Sequence, residues 1–299
     1  MILAFPWLTR NAAASRKPAT VPTESLRIFD YDAGAPLDLQ VLYSRQRNGL
    51  TIQEITYASP KGGRVSGTLI VPDGPGPFAG ILLMHGMPGN HSVTLKEAQA
   101  LAGRGAVTLS IDAPFSRSGR AGEPIQLTRQ DRDDQVQLII DWRRGVDLLL
   151  SRKDVDPERI AYTGQSYGGA MGGLLAGVEK RIRAFALVVG DGGLVSHIKA
   201  GDGSPNPLRR LSRKEQERWL AQMEPIEPLH WVGRAAPARL LFQNGRRDRL
   251  VPPASAKAYQ AAGSEPKKIL WYDADHFLND RATRDRHLWL AEQVGIAKP

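Results

Sequence analysis

The sequence has no cysteine among its 299 residues. Disulfides, thiolate metal sites and a cysteine nucleophile are therefore excluded. The absence fits a cytoplasmic protein, with secretion left open. Long apolar runs are missing too: no segment approaches the ~18 apolar residues that a membrane helix needs. No repeat unit or long low-complexity tract is visible. The net charge is +9, but no helix-turn-helix, RNA-binding or zinc-finger signature accompanies it, so no nucleic-acid partner is expected. The charge is scattered. Its densest basic stretch, PLRRLSRKEQERW (207–219), carries two glutamates and reads as the wet face of a helix.

What is present suits a globular protein. Apolar residues make up 41% of the chain, enough for a large core. The N-terminus, MILAFPWLTRNAAAS, has an apolar run with no basic stretch before it and a break at Pro6, unlike a signal peptide. Residues 1–25 read as a tail or clasp on a single body spanning 26–299, with a truncated leader as the alternative for that segment.

The apolar period changes repeatedly along that body. TIQEITYA (51–58) and RVSGTLIVP (64–72) nearly alternate and predict an opening antiparallel pair of strands. FAGILLMHG (78–86) and AVTLSID (106–112) are continuous apolar runs, as in strands buried on both faces. Between them lies a helix over 94–105, with Thr94 and Glu97 at capping-box spacing. From Asp131 to Lys153, Val136, Ile139, Trp142, Val146 and Leu149 mark one face of a long helix. Strands are predicted at 159–164, 184–190, 238–245 and 267–273, with helices at 166–180, 254–263 and 278–295. This alternation predicts an α/β fold: a mostly parallel eight-stranded sheet with helices on both faces. Residues 191–237 exceed an ordinary crossover. They read as a small cap-like excursion, with a helix near 212–223 opened by Ser212 and Glu215.

The chemistry concentrates at strand ends. In YTGQSYGG, Ser166 stands between Gly164 and Gly168 where a strand turns into a helix. That context predicts a nucleophile elbow, with glycines because any Cβ two residues from the serine would clash. A serine hydroxyl needs a base. Of the histidines at 85, 91, 197, 230, 276 and 287, His276 follows the last strand at the carboxyl edge, where ligands bind in such sheets. His287 falls in the closing helix, His197 and His230 in the excursion, and His85 reads as a loop brace. Asp248 follows the preceding strand and is the expected acid partner; Asp273 and Asp275 rank below it because sequence neighbours of His276 rarely have the needed geometry. The oxyanion donors expected are the backbone N–H groups of Tyr167 and Met87, since Pro88 has none. Phe115, Trp219, Met223 and Trp231 are the apolar side chains proposed to line a substrate pocket, with Leu229 beside them. Apolar stripes of this kind more often mark a packing face.

HGMPG, DAPFSRSG, DPERIAYTGQSYGG, NGRRDRLVP and DADHF stand in the order and context of the α/β-hydrolase superfamily, which residues 50–297 resemble. GQSYGG preceded by DPERI is similar to the catalytic domains of the prolyl oligopeptidase family, and to dienelactone-hydrolase-like and acetyl-xylan-esterase-like proteins. The resemblance implies Ser166 as nucleophile, His276 as base, Asp248 as its orienter, and N–H donors at Met87 and Tyr167. Two departures matter. Prolyl oligopeptidases carry a large propeller where this chain has about 50 residues, and the usual dienelactone hydrolase has a cysteine nucleophile.

The function expected is therefore a serine esterase acting on a small-molecule carboxylic ester, without metal or organic cofactor. An aminopeptidase or amidase is the alternative; it would need acids to hold a substrate amine, for which Glu224 and Glu227 are the candidates. A non-catalytic binding protein on the same fold comes third. A homo-oligomer is compatible with all three.

Overall fold

The computed structural model describes residues 23–117, 125–200 and 207–299. The expected tail therefore lies almost wholly outside the described residues. One sheet organises the chain. Its strands are β1 (Gln40–Arg47), β2 (Leu50–Ala58), β3 (Arg64–Pro72), β4 (Phe78–Met84), β5 (Ala106–Ile111), β6 (Val155–Gln165), β7 (Ala184–Val188), β8 (Arg239–Gly245) and β9 (Lys267–Tyr272), in the order β1-β2-β3-β5-β4-β6-β7-β8-β9. β1, β2, β3 and β5 pair antiparallel, and β4 through β9 are mutually parallel. Among the described residues the sheet thus has nine strands, not eight. The extra one is β1, whose eight residues are all exposed. A strand with no buried face carries no apolar alternation, so periodicity passed over it.

Among the described residues, eight helices cover the sheet or build the excursion: α1 (Leu95–Ala102), α2 (Arg129–Leu150), α3 (Tyr167–Val178), α4 (Leu194–Ala200), α5 (Arg213–Met223), α6 (Pro228–Trp231), α7 (Pro253–Ala262) and α8 (Asp280–Val294). The expected stripe of α2 is its buried face: Val136, Ile139, Trp142, Val146 and Leu149 all enter the core. Each such burial contributes about 1.5–3 kcal/mol. α2 starts two residues earlier than periodicity suggested, because Thr128 and Asp131 form a capping box there. Ser212 and Glu215 cap α5 as expected. Thr94 does not cap α1. Its hydroxyl donates instead to the His91 carbonyl and lies 2.7 Å from the Ser110 hydroxyl, and Asn90 caps a short 3-10 turn over His91–Thr94.

The strand order places a crevice at one edge of the sheet. After β4 the chain crosses to β5 on one side, then returns to β6 on the other. That reversal opens the crevice at the carboxyl ends of β4 and β6. The excursion between β7 and β8 contains α4, α5 and α6, and buries Trp219, Met223, Ile226 and Trp231 against the body.

Candidate active site

Ser166 sits between β6 and α3 with φ 55° and ψ −114°, a strained conformation for a residue with a side chain. Such strain costs on the order of 1–3 kcal/mol and persists only where the surroundings enforce it. Here the Ser166 N–H donates to the Val188 carbonyl of β7 at 2.8 Å. The flanking glycines permit the turn. A Cβ on Gly164 would come within 2.4 Å of the Gly168 carbonyl oxygen, and one on Gly168 within 2.7 Å of that of Met84.

Three side chains meet above the sheet edge. His276 Nε2 lies 2.9 Å from Ser166 Oγ, and its Nδ1 lies 2.8 Å from Asp248 Oδ2. Asp248 is buried, and its Oδ1 accepts the Leu250 and Val251 N–H groups at 2.8 and 2.9 Å. A carboxylate only accepts, so the His276 proton belongs on Nδ1. Nε2 is then left as an acceptor for the serine O–H, the tautomer a general base needs.

The other candidate acids and bases are engaged elsewhere. Asp273 pairs with Arg247, and Asp275 accepts the Phe277 N–H. His230 bonds Glu224 and His197 bonds Asp191. His287, on α8, stands 3.5 Å from Glu97 of α1. His85 braces its loop: Nδ1 donates to the Gly86 carbonyl at 2.7 Å and Nε2 accepts from the Ala113 N–H at 3.2 Å. Burial keeps its pKa below the ordinary imidazole value, against the opposing pull of Gly86 and Asp112.

A cavity of about 210 Å³ opens on Ser166 and His276, walled by Met87, Tyr167, Met171, Leu194, Leu250 and Val251, with Asp191 and His197 also at its edge. Gly86 lies against Ser166, since a Cβ there would be 3.3 Å from the serine Cβ; the loop carrying Met87 therefore borders the hydroxyl. A second cavity of about 290 Å³ between α1 and α8 is larger but holds neither Ser166 nor His276. Burial, then the charges of Asp134 and Asp131, push the Tyr167 phenol far above its ordinary pKa, so it stays protonated.

The predicted pocket residues need correction. Trp219, Met223 and Trp231 do not line the cavity; they are core residues at 2%, 1% and 0% exposure. Trp219 Nε1 donates to Asp131, Trp231 Nε1 to the Pro225 carbonyl, and the Trp231 ring packs edge-on against Phe29. Leu229 packs partly buried beside them. Phe115 stands behind the wall, edge-to-face with Tyr167 at 5.5 Å and with His85 at 5.9 Å. The walls that periodicity missed come from separate stretches: Met171 on α3, Leu194 on α4, Leu250 and Val251 in the loop that holds Asp248. Only the last two had a signal, their nearness to the acid.

Among the described residues, no group of three His, Cys, Asp or Glu side chains is placed to hold a metal ion, and no helix is long and apolar enough to cross a membrane.

Comparison with known proteins agrees with the fold. The acetyl xylan esterase from Paenibacillus sp. R4 superposes with a TM-score of 0.80 at 23% identity, over 93% of this chain and 97% of that one. The uncharacterized protein YfhR of Escherichia coli O157:H7 is 27% identical over 247 residues, 79% of this chain and 76% of its own. The uncharacterized peptidase YuxL of Bacillus subtilis (strain 168) is 32% identical over 243 residues, 76% of this chain but 36% of its own length. The sequence profile of the prolyl oligopeptidase family matches residues 92–291. That span runs from the turn before α1 to the last turn of α8 and holds Ser166, Asp248 and His276: the chain belongs to the prolyl oligopeptidase family, within the α/β-hydrolase superfamily of serine hydrolases.

Proposed function

We propose that the protein is a serine carboxylesterase that cleaves small to medium carboxylic esters through an acyl-enzyme. The observation that carries this reading is the unbroken hydrogen-bonded chain from Ser166 through His276 to Asp248, opening on a cavity with mainly apolar walls. Ser166 Oγ attacks the ester carbonyl as His276 Nε2 takes its proton. The Asp248 charge stabilises the imidazolium, and the Met87 and Tyr167 N–H groups receive the oxyanion. His276 returns the proton to the departing alkoxide. It then deprotonates a water molecule, which attacks the acyl-enzyme, and hands that proton to Ser166 Oγ as the acid leaves. Every proton in this cycle is handled by these groups.

The choice of ester over amide rests on what the acids do. Glu227 uses its carboxylate on the Val195 and Ser196 N–H groups, and Glu224 accepts from His230 Nε2. Neither lines the cavity, and the carboxylate that does, Asp191, is engaged by the Gly193 N–H and His197; this favours an ester over a substrate held by its amine. Residues 26–299 act as one hydrolase domain in this reading, with 191–237 lending a wall to the cavity through α4.

A panel of nitrophenyl esters and aminoacyl-nitroanilides, run with the parent and Ser166→Ala, tests the proposal. Ester turnover by the parent alone is expected. Equal turnover by both proteins would end the assignment of Ser166, and cleavage of the anilides only would overturn the choice of ester.

A further inference from the structure

Met87 sits in a seven-residue loop, 85–91, that begins and ends on a histidine. Both histidines are tied to the turn after β5, yet they require opposite charge states. His85 holds one proton, on Nδ1, because its Nε2 accepts the Ala113 N–H. A second proton would set two donors against each other. His91 has Nδ1 at 2.8 Å from Asp112 Oδ1 and Nε2 at 3.0 Å from Glu54 Oε2. Ionised carboxylates only accept, so both nitrogens must donate and the ring is an imidazolium. Asp112 also takes the His91 backbone N–H at 2.7 Å and the Ser66 hydroxyl at 2.6 Å.

One cation thus joins β2, the turn after β5 and the far end of the loop, and Asp112 extends the tie to Ser66 of β3. The middle of the loop is held separately, by the Ser116 hydroxyl on the Gly89 carbonyl. The charged and titratable groups around His91 are Glu54 from β2, Asp112 from the turn, His85 within electrostatic range, and Arg117, whose guanidinium bonds the Asp112 carbonyl.

We propose that His91 is a positioning residue: its imidazolium form holds loop 85–91 so that the Met87 N–H meets the oxyanion, and its loss of a proton sets the alkaline limit of the reaction at Ser166. The inference rests on the proposed roles of Ser166 and Met87 in ester cleavage. A neutral ring has one donor to offer two carboxylates. Its bare nitrogen would face a carboxylate lone pair, and the loop would lose either its tie to β2 or its tie to the turn. Burial disfavours the charge on His91, but Asp112 and then Glu54 outweigh it and raise the pKa above the ordinary imidazole value. The release therefore falls on the alkaline side of the His91 reference value.

The test follows fluorophosphonate labelling of Ser166 in the full chain across about pH 5 to 10, a range that brackets imidazole titration. The parent, His91→Gln and His91→Arg are compared, and the ¹⁵N shifts of the histidine rings are recorded by NMR in the parent. At pH 7 the His91 ring should carry two protons and His85 one. The parent labelling rate should fall at the pH where His91 loses its proton. His91→Gln should be labelled about 10²-fold more slowly at neutral pH, the scale of a lost oxyanion donor, and should lack that alkaline fall. His91→Arg, which keeps a cation with several donors, should recover most of the rate. A neutral His91 at pH 7, or the same alkaline limb in all three proteins, overturns the proposal. A parent that never labels at Ser166 removes the underlying reaction as well, whereas normal labelling with an unmoved profile removes only the role of His91.

Discussion

Replacing Asp248 by asparagine gives the sharpest test of the proposed proton relay, because the structure dictates how the amide must sit. Oδ1 receives two backbone N–H groups, from Leu250 and Val251. An NH₂ group at that position would face two donors, so the amide oxygen must take it. The NH₂ is then forced to the Oδ2 position, 2.8 Å from His276 Nδ1. Nδ1 can only accept there, and the ring proton moves to Nε2, opposite Ser166 Oγ. The base now presents a donor to the hydroxyl it should deprotonate, and the imidazolium loses its counter-charge. The substitution preserves volume and both backbone hydrogen bonds to the side chain, so folding should survive. A wrong tautomer of this kind lowers kcat by about 10⁴-fold, which is about 5.5 kcal/mol of barrier at 1.36 kcal/mol per decade. Steady-state hydrolysis of a nitrophenyl ester, with the melting temperature measured beside it, gives both numbers. A variant that melts like the parent and keeps its kcat within tenfold would refute the reasoning.

Two further expectations concern the framework. Burial opposes the charge of Glu97, but the Arg286 guanidinium at 2.7 Å and then His287 outweigh it and bring its pKa to about 2, against an ordinary 4.5. The folded value lies below the unfolded one, so the stabilisation is complete above about pH 4.5 and is lost as the pH falls toward 2. It amounts to about 3 kcal/mol, or about 2 after screening of a side chain that is one-quarter exposed. Urea unfolding of the parent and Glu97→Gln should therefore show a stability gap near pH 6 that closes by pH 2; a gap independent of pH would contradict it. Gly168→Ala places a methyl 2.7 Å from the Met84 carbonyl oxygen and 2.8 Å from Met84 Cγ. It should cost about 1–3 kcal/mol by overpacking and slow phosphonate labelling of Ser166; unchanged unfolding and labelling would show that the elbow tolerates a Cβ.

The parts legible in the sequence share a property: each needs a residue that few others can replace. Gly164 and Gly168 mark a turn where backbone meets backbone. Ser166, Asp248 and His276 follow separate strands, so alternation of strand and helix was enough to bring them to one edge. The parallel sheet showed itself in runs such as GILLM because both its faces are covered. The illegible parts lack such a marker. β1 buries nothing, so its residues obey no period. Trp219, Met223 and Trp231 carry a helical spacing that is the same whether the face meets a cavity or the core, and here it meets the core. The cavity wall is assembled from α3, α4 and the loop after β8, and no local pattern joins Met171 to Leu194 or Leu250. The strut at His91 depends on Glu54, 37 residues earlier, and on Asp112, 21 later, distances over which a single sequence carries no pairing signal.

The placement of Asp248 and His276 just beyond β8 and β9 has a consequence for how this scaffold can diversify. Those strands are neighbours locked by six residue pairs, from Leu240 with Lys267 to Gly245 with Tyr272. Asp248 and His276 are therefore spaced by sheet register, while α4 hangs from the crossover before β8. Lengthening or trimming that crossover would reshape the cavity wall without moving the proposed relay, so on this reading selectivity is retuned independently of the chemistry.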